Sequence, residues 1–273
     1  MLTLILAMCT LGGDDCCASM KEFSKDPTFQ AAHLAPLPLN FKPQQGKMAT
    51  LDYGRGSSPI FVVPPAEGVD VGIVMVHEWW GLNDYIKQQA ERLHRETGYG
   101  VAAVDLYGGK IAATSEEAAK LVQGVDDETA SAIMRAAPAK IKDGSVFGRK
   151  ISKVGTIGWC FGGGWSFQAA LMGGSNVDAC VMYYGMPETE PDKLRALKAP
   201  VFAVFGNQDK RLDPELVGKF AQGMAAAARP LELRVYDADH AFANPSNPKY
   251  DKMHAEDAWN ATLFFLRRYL STK

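Results

Sequence analysis

From residue 60 onward, short apolar runs alternate with longer stretches of helical periodicity. Residues 60–63, 72–76, 101–104, 154–157, 179–183, 201–205 and 231–235 read as strands. Most are continuously apolar and β-branched, the pattern of strands buried on both faces. Between them, residues 84–97, 115–123, 127–142, 163–172, 214–228 and 253–269 read as amphipathic helices. In the last, Trp259, Leu263, Leu266 and Leu270 recur at three- and four-residue spacing and make one core-facing stripe. Such alternation predicts an α/β fold, a mostly parallel central sheet with helices on both faces. In open sheets of this kind ligands bind at the C-terminal ends of the strands. No internal repeat is present.

The first third of the chain is less regular. Residues 21–55 are polar and spotted with Pro27, Pro36, Pro38 and Pro43, so an irregular lead-in is expected, followed by one domain over residues 56–273. Residues 1–20 contain an apolar run from Leu2 to Leu11. It is too short to span a membrane and matches the length of a signal-peptide core. No Lys or Arg precedes it, and Met8 stands before Cys9 where a lipoprotein site wants a small residue. An export signal, leading to the periplasm, and a plain N-terminal tail both fit, with export slightly favoured over a cytoplasmic location.

Composition narrows the function classes. Of 273 residues, 47% are hydrophobic and 22% charged, which excludes intrinsic disorder. Lys plus Arg number 29 against 31 Asp plus Glu, so there is no basic excess to neutralise a nucleic acid. Five cysteines in a chain of this length form no disulfide framework and leave room for a reactive thiol.

The segment 158–162, Gly-Trp-Cys-Phe-Gly, supplies a place for that thiol. A strand ends, a sharp turn follows and a helix begins, with Cys160 at the apex. This is the nucleophile-elbow pattern with cysteine in place of serine. Glycines are needed because side chains there would strike the sheet and the helix. The helix N-terminus favours a thiolate, and the Phe161 N–H would point at a developing oxyanion. Cys180 falls inside an apolar strand and reads as core, while Cys9, Cys16 and Cys17 lie in the tail.

A thiol nucleophile needs a base and an orienting acid. The strand at 201–205 runs into Asp209, and the strand at 231–235 runs into His240. The order Cys160, Asp209, His240 is the one an α/β-hydrolase requires. His240 would take the thiol proton, and Asp209 would orient the imidazolium. Asp213 and Asp239 compete as acids, but Asp213 precedes Pro214 and looks like a helix cap. His33 in the lead-in, His77, His94 and His254 compete more weakly as bases.

At this point the chain resembles the dienelactone hydrolase family of α/β-hydrolases over roughly residues 56–270. The segments His77-Glu-Trp-Trp-Gly-Leu-Asn83, Asp105-Leu-Tyr-Gly-Gly109 and Gly158-Trp-Cys-Phe-Gly-Gly163 carry the resemblance, together with Asp209 and His240. It implies that Glu78 contacts the resting thiol, and that the Trp79 N–H is a second oxyanion donor. Bottom-up, a carboxylate at a sheet edge beside two tryptophans is an unusual core residue. Family members acting on an anionic lactone clamp its carboxylate with two arginines. Here those places hold Gly109, followed by Lys110, and Asn244. A dienelactone substrate is therefore not expected. Trp80, Tyr107, Lys110 and Phe242 are the candidate substrate-binding residues.

The expected function is a hydrolase of carboxylic esters or lactones that works through a thioester acyl-enzyme. A thioesterase or acyl transferase on the same triad, and a binding protein that keeps only the fold, are the alternatives. No cofactor motif and no Cys/His cluster with metal-ligand spacing is seen, so neither cofactor nor metal is expected. The expected partner is a small-molecule substrate and the expected state a monomer.

Overall fold

The computed structural model describes residues 21–271. The candidate signal segment, with Cys9, Cys16 and Cys17, lies outside the described residues. In chain order the elements are α1 (Pro27–Ala32), β1 (Lys47–Asp52), β2 (Ser57–Val63), β3 (Val71–Val76), α2 (Asp84–Thr97) and β4 (Gly100–Val104). Then come α3 (Ser115–Gln123), α4 (Asp127–Lys142), β5 (Lys153–Trp159), α5 (Phe161–Gly173) and β6 (Ala179–Tyr183). The chain ends with α6 (Pro191–Leu194), β7 (Val201–Gly206), α7 (Pro214–Ala226), β8 (Leu231–Tyr236) and α8 (Lys252–Leu270).

The strands form one sheet in the order β1-β2-β4-β3-β5-β6-β7-β8. The first two pairings, β1 with β2 and β2 with β4, are antiparallel. All later pairings are parallel. β3, β4, β6 and β7 are buried throughout, as their unbroken apolar sequences require. Successive residues of β5 show both faces covered. A side chain at Gly155 would meet Leu266 and Leu270 of α8, whereas Thr156 Oγ1 bonds the Ser166 carbonyl of α5.

Helix starts follow their caps. Asn83, Thr114, Asp126 and Asp251 each accept a backbone N–H of the first turn. Asp213 does the same for Leu216 N, so it is a cap, as Pro214 suggests. The helix α5 is buried on nearly every side because its sequence, Phe-Gly-Gly-Gly-Trp-Ser-Phe-Gln-Ala-Ala, lacks a charged face.

One expectation needs correction. The lead-in is not irregular throughout: it contains α1 and a sheet strand, β1, so the sheet begins at Lys47 rather than after residue 55. Strand β1 is an edge with a single buried residue, Leu51, so no apolar run announces it. The opposite edge, β8, carries Glu232 and Arg234 among half-exposed apolar residues, as its mixed sequence requires.

Candidate active site

Three C-terminal strand ends converge on one point. Strand β5 delivers Cys160, β7 delivers Asp209 and β8 delivers His240. The backbone at Cys160 has φ 52° and ψ −118°, a strained conformation for a side-chain-bearing residue. The turn closes because glycines flank it. A Cβ at Gly158 would lie 2.0 Å from the Gly162 carbonyl oxygen, and one at Gly162 would lie 2.3 Å from that of His77. Among the described residues four non-glycines have positive φ, and three of them, Cys160, Tyr184 and Ala241, surround this point. Strain concentrated at one place marks a functional site.

The three side chains are in line. Cys160 Sγ lies 3.2 Å from His240 Nε2, and His240 Nδ1 lies 2.6 Å from Asp209 Oδ2. Asp209 Oδ1 accepts the N–H groups of Arg211 and Leu212, which fixes the carboxylate plane. Burial works against charge on His240, but the Asp209 carboxylate and the Cys160 sulfur outweigh it and hold the imidazole well above its ordinary pKa. Burial also opposes charge on Asp209, and the imidazolium together with the two N–H donors more than offsets it, so its carboxyl titrates below the usual range. With Nδ1 turned to Asp209, Nε2 is the ring atom that faces the Cys160 sulfur.

Phe161 opens α5, so its N–H has no intrahelical acceptor. The Trp79 N–H has no acceptor among the described residues. The Trp79 carbonyl is held by the Tyr107 hydroxyl at 3.2 Å. Two further donors, the Trp79 indole Nε1 and the Tyr184 hydroxyl, are buried without a partner among the described residues. The Tyr184 ring lies 5.2 Å from that of His240.

Glu78 does not sit where the resemblance implies. Its carboxylate accepts Asn244 Nδ2 at 2.7 Å, and the sulfur's hydrogen-bonding neighbours are His240 and His33. The residue at 244 is an amide, and it donates to this buried carboxylate. Burial pushes the Glu78 carboxyl up to about 7, although His240 and Asn244 both pull it down. A carboxyl raised above its unfolded value takes up a proton on folding, so stability falls as pH rises from about 4.5 toward 7. Glu78→Gln removes that dependence. Urea denaturation should show the variant gaining up to about 3 kcal/mol on the wild type between pH 5 and pH 8. An equal difference at both pH values would contradict this protonation state.

Of the other candidate residues, Tyr107 and Phe242 are buried supports. Tyr107 packs between His77 and Phe161, and Phe242 packs behind the His240 loop on Tyr184 and Tyr236. Trp80 is buried beside a small recess with Glu78, Tyr85 and Asn244. Lys110 is not in the cluster: Gly108 and Gly109, at φ 63° and 86°, turn the chain to the surface, where Lys110 is exposed. His77 is structural, bonded to the Glu78 carbonyl and to Leu106 N. Cys180 is core, its thiol pushed up to about 11 by burial.

Two residues of the lead-in belong to the site and were not expected there. From α1, the Phe29 ring lies 5.4 Å from Trp79 and 5.7 Å from His240. One turn on, His33 stacks on Trp79 at 4.7 Å and places Nε2 3.8 Å from Cys160 Sγ. They are four residues apart, at and just beyond the end of α1, and nothing in their local sequence tells that they reach this site. Beneath them Cys160 has 0% exposure. Phe29 and His33 thus lie among the groups that cover the sulfur. His33, Cys160 and His240 also form a set of three donor atoms within 4.8 Å of one another, able to hold a metal ion.

The chain is similar to known proteins along most of its length. It is 31% identical over 208 residues to Protein usf of Aquifex pyrophilus, covering 73% of this chain and 89% of that one. It is 26% identical over 257 residues to the carboxymethylenebutenolidase of Rhodococcus opacus, covering 86% and 94%. Among solved structures, a dienelactone hydrolase from Anabaena variabilis superposes with a TM-score of 0.60 at 19% identity, covering 84% of this chain and all of that one. A dienelactone hydrolase-like promiscuous phosphotriesterase from metagenomic libraries superposes with a TM-score of 0.72 at 21% identity, covering 83% and 98%. The fold is therefore that of the α/β-hydrolases. The dienelactone hydrolase family model matches residues 60–270, and the chain belongs to that family of hydrolases.

Proposed function

We propose that the protein hydrolyses uncharged carboxylic esters or lactones through a Cys160 thioester. The observation that carries this reading is the unbroken contact line from Cys160 Sγ through the His240 ring to Asp209 Oδ2, at 3.2 and 2.6 Å. In the forward step the sulfur attacks the substrate carbonyl carbon and forms a C–S bond. The carbonyl oxygen takes the negative charge and is met by the N–H groups of Phe161 and Trp79. His240 then gives its Nε2 proton to the departing alkoxide as the C–O bond breaks. Water, deprotonated by His240, cleaves the thioester and returns the proton to the Cys160–His240 pair, and the acid leaves. Asp209 keeps Nδ1–H donating throughout, so Nε2 is always the atom that exchanges protons.

The preference for an uncharged acyl group rests on the residues at 109 and 244. Gly109 has no side chain, and Asn244 is engaged with Glu78. Neither offers a cation to a substrate carboxylate. Steady-state kinetics on matched pairs of neutral and carboxylate-bearing aryl esters and lactones test this. The neutral member should have the higher kcat/KM by at least about tenfold, the value of one lost charge-assisted bond. A preference for the anionic member would overturn the specificity, and failure to cleave any ester would overturn the reaction class.

A further inference from the structure

The lead-in brings to Cys160 a second imidazole for which the hydrolytic cycle has no use. His33 is buried, and its Nδ1 lies 2.8 Å from the Phe29 carbonyl oxygen. That oxygen can only accept, so Nδ1 carries the hydrogen and Nε2 presents a lone pair. The lone pair faces Cys160 Sγ at 3.8 Å. His240 is arranged in the same way: Nδ1 is committed to Asp209, and Nε2 faces the same sulfur at 3.2 Å. Three donor atoms, one sulfur and two ring nitrogens, therefore converge within 4.8 Å of one another.

This is the donor set of a soft divalent cation. One thiolate and two neutral imidazoles match zinc, and zinc-bound histidines characteristically donate their other N–H to a carbonyl or a carboxylate. Both partners are in place here, the Phe29 carbonyl for His33 and Asp209 for His240. The spacing agrees as well. With zinc about 2.3 Å from sulfur and about 2.05 Å from nitrogen in a tetrahedral site, each S···N separation is about 3.6 Å. The two observed separations, 3.2 and 3.8 Å, bracket that figure.

We propose that a zinc ion held by Cys160 Sγ, His33 Nε2 and His240 Nε2 switches this hydrolase off. Zinc would displace the thiol proton and occupy the lone pairs of both the nucleophile and its base. It would also pin the lead-in over the site, because His33 belongs to the segment that lies against Cys160 and Trp79. That segment is already tied to the domain. Gln44, Gln45 and Gly46 donate to the buried Glu91 carboxylate, Ser115 Oγ donates to the Gln30 carbonyl, and Arg211 pairs with Asp26. The inhibitory consequence rests on the hydrolase reading, but zinc binding does not, and it is measured without substrate.

The test uses the full chain, stripped of metal by a chelator and titrated with zinc chloride against a competing chromophoric chelator. One zinc per chain should bind with a Kd of micromolar or tighter, and His33→Ala should weaken it by at least about tenfold. Cobalt in place of zinc should give a thiolate charge-transfer band that disappears in Cys160→Ser. In wild-type protein, zinc should slow hydrogen exchange in residues 27–34, a readout that survives if the His33 variant fails to fold. Absence of stoichiometric binding, equal affinity in a folded His33→Ala protein, or unchanged exchange in 27–34 would each overturn the site. Zinc that binds in this way but leaves ester turnover unchanged would overturn only the inhibition. An inactive protein that still binds zinc through His33 would instead count against the hydrolase reading.

Discussion

Cys160→Ala is expected to lower kcat on a neutral aryl ester by roughly four to six orders of magnitude, with the protein still folded. The size follows from the chemistry, because Cys160 is the thiol at this point and the other described thiol, Cys180, lies elsewhere. Cys180 is buried within β6, and its thiol is pushed up to about 11. Water attacking directly would keep the Phe161 and Trp79 donors but lose the covalent step, so a small residual rate should persist. The fold should tolerate the change. Alanine keeps the Cβ that the strained φ of 52° already accommodates, and one lost sulfur in a buried site costs only about 1–2 kcal/mol. Thermal unfolding of both proteins, with stopped-time assays on the same preparations, separates the two effects. Activity within tenfold of wild type in a folded variant would remove Cys160 from the mechanism.

The sheet and the site differ in how they announce themselves. Strands β3, β4, β6 and β7 are uninterrupted apolar runs because helices cover both faces, so their sequences name them. The helices Asp84–Thr97, Ser115–Gln123 and Asp127–Lys142 are legible to the residue because each begins at a capping side chain. The edge strand β1 is not, since its exposed side chains carry no apolar signature. Chemistry tied to a strand end is equally readable. Cys160, Asp209 and His240 each follow a strand, and parallel strands bring their ends together whatever the distance in sequence. Phe29 and His33 follow no strand. Their place is set by how a short helix packs across the sheet's C-terminal edge, and no local pattern encodes that packing. The same limit hid the three-donor cluster. His33 and Cys160 are 127 residues apart, far outside any local ligand spacing. Glu78 is an intermediate case. A functional carboxylate beside the tryptophans could be anticipated, but not its bond to Asn244, which lies 166 residues away.

Asp209→Asn should reduce kcat by about 10³–10⁴-fold, as loss of the orienting carboxylate does in the serine-protease template, and the reason lies in which oxygen is held. Oδ1 accepts two backbone N–H groups, from Arg211 and Leu212, at 2.9 and 3.1 Å. An asparagine must keep its carbonyl oxygen there, because turning the amide would set an NH₂ against two N–H donors in a buried place. The amide nitrogen is then forced into the position of Oδ2, 2.6 Å from His240 Nδ1. Facing a donor, Nδ1 becomes the acceptor, and the ring's single hydrogen moves to Nε2. His240 then faces the sulfur with an N–H and no lone pair, so it cannot accept the thiol proton in the acylation step, nor a proton from water afterwards. Asp209→Ala makes a contrasting prediction. It leaves a cavity but puts nothing against Nδ1, so the productive tautomer stays accessible and its kcat should be no lower than that of the asparagine variant. A purely structural role for Asp209 predicts the reverse order, because asparagine fills the space and alanine does not. Measuring kcat for both folded variants on one neutral ester distinguishes a tautomer-setting carboxylate from a packing one.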